Sequence, residues 1–152
     1  MFAWSRRWSW FRFRCFFQNG KLDLFCFLKK DTESHKTEVH ILNGDDNFTS
    51  FLKQLPTAMP ETNNNCKFSV GNYNRENSVF CVEKKKTGNH STEIKILNRE
   101  NLYKDFVLNI PTKLEESGDE YDFDVGYYKG FVQVWGIKKS SINTVELNLI
   151  KI

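Results

Sequence analysis

The strongest constraint on what this chain can fold into is that it repeats itself. Displaced by 55 residues, Thr37-Glu38-Val39-His40-Ile41-Leu42-Asn43 falls on Thr92-Glu93-Ile94-Lys95-Ile96-Leu97-Asn98, and the register continues without a gap. Phe48 falls on Tyr103, Phe51 on Phe106, Leu55 on Ile110, Pro56-Thr57 on Pro111-Thr112, Phe68 on Phe123 and Val70-Gly71 on Val125-Gly126. The same offset places Phe13 on Phe68, Phe25-Cys26 on Phe80-Cys81, Lys29-Lys30 on Lys84-Lys85 and His35 on His90. Three units result, near residues 8–57, 66–112 and 121–152, within a chain whose 152 residues suit a single domain.

Each unit reads alike. Phe13, Cys15 and Phe17, then Leu22, Leu24, Cys26 and Leu28, recur at every second position, the period of a half-buried strand. A third strand follows, in which Val39 and Ile41 alternate with Glu38 and His40; Ile94 and Ile96 match it, as do Val145, Leu147 and Leu149. Asn19-Gly20 and Lys129-Gly130 are tight-turn sequences that make the first two strands antiparallel hairpins. After the third strand the period changes. Phe48, Phe51, Leu52 and Leu55 stand at i, i+3, i+4 and i+7, as do Tyr103, Phe106, Val107 and Ile110, which predicts a short helix with one apolar stripe. Asn43 and Asn98 are its expected N-caps, Asp45, Asp46 and Glu100 sit where the helix dipole favours acids, and Pro56 and Pro111 follow its end. Such a helix must lie on a sheet. The expected fold class is therefore α+β: three β-β-β-(α) repeats of period 55, antiparallel sheets with helices packed on one face, and a last repeat that reaches Ile152 without its helix. Glu61 to Asn65 and Glu115 to Glu120 are polar linkers.

Composition adds direction. The chain is 39% hydrophobic and 27% charged, which excludes collagen-like and wholly disordered classes. Ten of its 23 aromatic residues lie within the first 27 positions, and residues 1–36 carry eight Lys or Arg against three Asp or Glu, although the net charge is only +3. Arg6, Arg7, Arg12 and Arg14 interrupt the apolar opening, so neither a secretory leader nor a bilayer span is expected, and the location is expected to be nuclear or cytoplasmic. Cys15, Cys26, Cys66 and Cys81 have no CxxC spacing and read as reduced thiols; the sequons at Asn47 and Asn89 read as chance matches.

Catalysis finds no motif. His35, His40 and His90 stand in no metal-binding or nucleophile-activating arrangement, and the repeat equivalence of His35 and His90 points to a shared turn role. Asp45-Asp46 and the acids from Asp119 to Asp124 suit a helix start and a linker, so neither metal nor cofactor is expected, and the chain is read as a non-enzyme. The second strand is more informative. Cys26, Cys81 and Gly136 share one small position, while Phe25, Phe80 and Trp135 share the adjacent aromatic one on the other face. That series continues with Phe27, Val82 and Ile137 and then Lys29, Lys84 and Lys139, and is either a second core layer or an open platform ending in a lysine.

The unit order resembles the purine-rich-element-binding (PUR) repeat family. Phe123-Asp124-Val125 followed by Lys129-Gly130 is similar to the opening of a PUR repeat, as is Gln18-Asn19-Gly20 with Phe25 to Lys29, and Phe48 with Phe51 matches its Phe-containing helix. Leu24-Phe25-Cys26-Phe27 and Val79-Phe80-Cys81-Val82 replace the family's basic-flanked segment. The resemblance implies a Whirly-like fold that binds single-stranded DNA or RNA. Aromatics on a sheet beside cations would hold unstacked bases and phosphates, and the residues expected to do so are Arg12, Arg14, Lys21, Phe25, Lys29, Phe80 and Lys84. The alternative is a non-catalytic protein-interaction scaffold or dimerisation module with the same repeats, docking a partner or a second copy through the Trp-rich N-terminus, with Trp4, Trp8 and Trp10, or through the third repeat.

Overall fold

The structure is a computed structural model that describes residues 11–18, 21–117, 120–129, 131–139 and 145–152. The turn residues Asn19, Gly20 and Gly130, the linker residues Gly118 and Asp119, and Trp4, Trp8 and Trp10 lie outside the described residues. So do the side chains of residues 11–22, which include Arg12, Arg14 and Lys21, and those of Lys139, Val145 and Leu147.

Three antiparallel meanders follow one another. The first comprises β1 (Phe11–Gln18), β2 (Lys21–Leu28), β3 (Lys36–Leu42) and β4 (Phe51–Pro60), paired in chain order. The second comprises β5 (Cys66–Tyr73), β6 (Glu76–Glu83), β7 (Ser91–Leu97) and β8 (Phe106–Glu115), and the third β9 (Tyr121–Tyr128), β10 (Phe131–Lys139) and β11 (Val145–Lys151). Strands β1, β5 and β9 start 55 residues apart, as do β2, β6 and β10. Backbone conformation follows the same period. Asp31 and Lys86, His35 and His90, and Phe48 and Tyr103 are pairs of equivalents with positive φ. Asn74 and Arg75, at φ 50° and 67°, form the two-residue turn between β5 and β6, with the two positive angles that a type I′ hairpin requires.

The expected α+β class is overturned: the chain is nearly all β. Where helices were expected stand the fourth strands β4 and β8, and among the described residues the only helical turn is the 3-10 turn Gly44–Asp46. Asn43 caps it through Oδ1, which accepts the Asp45 N–H at 3.0 Å. The turn then stops because Asn47 and Phe48 enter the left-handed region, at φ 58° and 62°, where a right-handed helix cannot continue. Beyond it the strand period dominates. Phe106, Leu108, Ile110, Thr112 and Leu114 are half-buried in alternation with exposed neighbours, so Val107, counted above in a helical stripe, is left 50% exposed. Pro56 and Pro111 lie inside these strands. Each fourth strand is a sheet edge, where a missing N–H is tolerated. A bulge follows each proline: Glu38 pairs with Pro56 but Lys36 with Pro60, and Glu93 with Pro111 but Ser91 with Glu115. The hydroxyls of Thr37 and Thr92 bridge the bulges, each donating at 2.9 Å to the carbonyl of Pro60 or Glu115.

The chain divides into two compact units, one reaching Asn63 together with Glu100–Asp105, the other Asn64–Arg99 with Phe106–Ile152. In the first, Phe25, Phe27, Val39, Ile41 and Met59 are buried, and the Ala58 N–H donates to the carbonyl of buried Tyr103 at 2.8 Å. In the second, one sheet lies on the next. Phe80, Val82, Ile94 and Ile96 of β6 and β7 form a single core with Tyr121, Phe123, Val132 and Val134 of β9 and β10. Each such large apolar side chain contributes about 1.5–3 kcal/mol on burial. Strands β5 and β9 run side by side, so repeat equivalents meet: Lys67 Nζ is 2.5 Å from Asp122 Oδ1, and the Ser69 hydroxyl donates to Asp124 Oδ1 at 3.2 Å. Gly71 permits this approach, because a Cβ there would fall 2.4 Å from Val125 Cγ1.

Gly71→Ala is therefore expected to cost about 1–3 kcal/mol through overpacking. Gly88 has open space around it, and Gly88→Ala is expected to stay within about 0.5 kcal/mol. Urea unfolding of the two variants measures the difference, and equal effects would contradict the close contact of β5 with β9.

Candidate interaction surface

The residues expected to form a base-stacking platform lie inside the protein. Phe25 is buried, and Phe80 is fully buried beneath the third sheet. Of the two readings of the aromatic series, a second core layer describes Phe25, Phe27, Phe80 and Val82. Lys29 and Lys84 are buried as well, each reaching a backbone carbonyl far along the chain. Lys29 Nζ donates to the Asn63 carbonyl at 2.9 Å and Lys84 Nζ to the Tyr121 carbonyl at 3.3 Å. Their own carbonyls accept the N–H groups of Thr62 and Ser117, both at 2.9 Å. Arg12, Arg14 and Lys21 belong to β1 and β2 by backbone, and their side chains are outside the described residues.

The linkers carry a repeated threonine–glutamate latch. Glu61 Oε1 accepts the Thr32 N–H at 2.8 Å and lies 2.9 Å from the Thr32 hydroxyl; Glu116 Oε1 stands in the same relation to Thr87, at 2.8 and 3.1 Å. Each hydroxyl is also 2.7 Å from a carbonyl at the start of the third strand, that of Lys36 or Ser91. The latch thus closes the second-to-third-strand turn onto the end of the fourth strand. Thr32 and Thr87, like Glu61 and Glu116, are identical at one period. His35 and His90 belong to these turns: their N–H groups donate to the carbonyls of Thr32 and Thr87 at 3.3 and 3.4 Å.

His40 Nε2 is 2.8 Å from Glu38 Oε2, with its ring edge-on to Phe51. Burial alone would lower the Lys95 pKa, but the carboxylates of Glu83 and Glu93, 2.5 and 3.3 Å away, outweigh it and hold the ammonium above its ordinary range. Burial, reinforced by neighbouring Cys66, pushes the Cys81 thiol well up and leaves it a poor nucleophile. Among the described residues no group of three His, Cys, Asp or Glu side chains could hold a metal ion.

What stands open is one face of the third sheet. Along β10, Val132 and Val134 point into the core while Phe131, Trp135 and Ile137 occupy the opposite face, with Leu149 of β11 in register beside Trp135. Phe131, Ile137 and Leu149 are 50%, 37% and 54% exposed. Trp135 is half-buried and packs against Gly126, where a Cβ would fall 2.5 Å from its Nε1. The aromatic series is thus core in Phe80, whereas in the third repeat half-buried Trp135 is followed by exposed Ile137.

No family model, curated protein or solved structure matches this chain.

The latch makes a pH prediction. Hydrogen bonds from the Thr32 N–H and hydroxyl hold the Glu61 carboxyl below its ordinary pKa of 4.5. Its stabilisation is full above that value and is lost as pH falls through the lower, folded-state value. Thermal unfolding of Glu61→Gln against wild type is expected to show a difference at pH 7 that shrinks towards pH 3. A difference independent of pH would contradict the ionised latch. Thr32→Val, which strips hydroxyl contacts from a buried turn, is expected to cost about 1–3 kcal/mol at neutral pH.

Proposed function

We propose that this chain is a non-catalytic protein-interaction scaffold, in which stacked antiparallel sheets present an apolar face to a protein partner. One observation carries the reading. The face of the second sheet bearing Phe80, Val82, Ile94 and Ile96 is buried by the third sheet, whereas on the corresponding face of the third Phe131, Ile137 and Leu149 are exposed beside a half-buried Trp135. Exposed apolar side chains grouped on one sheet face support reading it as an interaction site. Aromatic anchors such as Trp135 are the residues that dominate protein interfaces.

Single-strand recognition is supported less well. It needs rings with a free face and cations that reach phosphates. Phe25 and Phe80 have no free face, and the ammonium groups of Lys29 and Lys84 are engaged by carbonyls.

Filter binding of the intact protein to short single-stranded DNA and RNA at two salt concentrations separates the two readings. The scaffold reading expects no retention at about 10 μM protein; micromolar binding that weakens with salt would overturn it in favour of nucleic acid.

A further inference from the structure

The open face has an internal precedent that says what covers it. In the β6–β7 pair Phe80 stands beside Ile96, and in the β10–β11 pair Trp135 stands beside Leu149; Val82 corresponds in the same way to Ile137. Phe80, Val82 and Ile96 are covered by the opposite face of the following sheet, through Tyr121, Phe123, Val132 and Val134. The face carrying Trp135, Ile137 and Leu149 is therefore shaped for the same kind of cover: a hairpin with apolar residues at those four positions.

The chain carries such a hairpin at its other end. Two periods before Tyr121, Phe123, Val132 and Val134 stand Phe11, Phe13, Leu22 and Leu24, all apolar. The register is the same, with Phe13 opposite Cys26 in β1–β2 as Phe123 is opposite Gly136 in β9–β10. Charge agrees with shape. Where β5 flanks β9, Lys67 meets Asp122 and Ser69 meets Asp124. The equivalents of Lys67 and Ser69 in the first repeat are Arg12 and Arg14. Setting β1 of another copy beside β9 brings those two arginine positions opposite the two aspartates.

We propose that the third sheet of one molecule is covered by the first sheet of a second copy, in a head-to-tail association of repeats. This rests on the scaffold reading and names its partner. It also gives the basic first strand a role in pairing with acids of the same protein. A head-to-tail contact joins two different surfaces, so it either closes into a ring or runs on as an array.

The experiment is sedimentation of the full chain at about 1–50 μM, a range in which moderate interfaces assemble. Wild type is expected at twice its 18.0 kDa mass or at higher multiples. Leu149→Glu on the open face and Leu24→Glu on the covering hairpin are each expected to halve the mass of a dimer. Mixed one to one, the two variants keep one intact face apiece, and the mixture is expected to recover a species of two chains. Circular dichroism checks folding; should Leu24→Glu unfold, Arg14→Asp takes its place. A wild type that stays at 18.0 kDa overturns the proposal, as does an unchanged mass for either folded variant or a mixture that stays monomeric. A monomer that also fails to retain oligonucleotides would leave the scaffold reading standing with a different protein partner. Salt-sensitive retention would remove that reading itself.

Discussion

Face-to-face burial of one β-sheet by the next is the interaction on which the second unit depends. Phe80 and Val82 on β6, with Ile94 and Ile96 on β7, are covered by the β9–β10 hairpin. Ser78 to Val82 of β6 is buried without a break, and strands buried in this way read as continuous apolar runs rather than as alternation. β8, at the sheet edge, alternates. A meander whose middle strands are apolar on both faces is incomplete alone, which is the physical logic of repeat proteins.

Around that apolar contact, polar groups fix the spacing. The Thr–Glu latches, the buried lysines that reach distant carbonyls and the threonines that bridge the bulges all recur at one period. Each satisfies backbone or side-chain groups that burial would otherwise leave unpaired. The rim pairs between β5 and β9 are weaker: Lys67–Asp122 is partly exposed, and pairs of that kind contribute about 0–1 kcal/mol. They bear on alignment more than on stability.

How much of this was legible in the sequence follows from which residues carry each feature. The period was, because identity at 55 residues extends through strands, turns and linkers alike. The first three strands of each unit were, because Leu24, Cys26 and Leu28 or Val39 and Ile41 recur at two-residue spacing. The fourth strand was not. Phe106, Val107 and Ile110 satisfy a helical stripe, while Phe106, Leu108, Ile110 and Leu114 satisfy alternation, and short apolar runs do not separate the two. The left-handed pairs Asn47-Phe48 and Leu102-Tyr103 decide against the helix, and of these four only Asn47 is a residue type that announces such a turn. The candidate site was half legible. Phe25, Phe80 and Trp135 occupy equivalent strand positions, but whether such a position is core or surface depends on what packs over its sheet, and that is tertiary information. Lys29 and Lys84 resembled a cationic rim because nothing local in the sequence shows the distant carbonyls, of Asn63 and Tyr121, that accept from their ammonium groups.

The most direct test of the account is whether the two sheets of the second unit touch in solution. With selectively methyl-labelled protein, the methyl groups of Ile94, Ile96 and Val82 are expected to give nuclear Overhauser contacts to the ring of Phe123 and the methyls of Val134. The same methyls giving contacts only within β6 and β7, and none to β9 or β10, would contradict it.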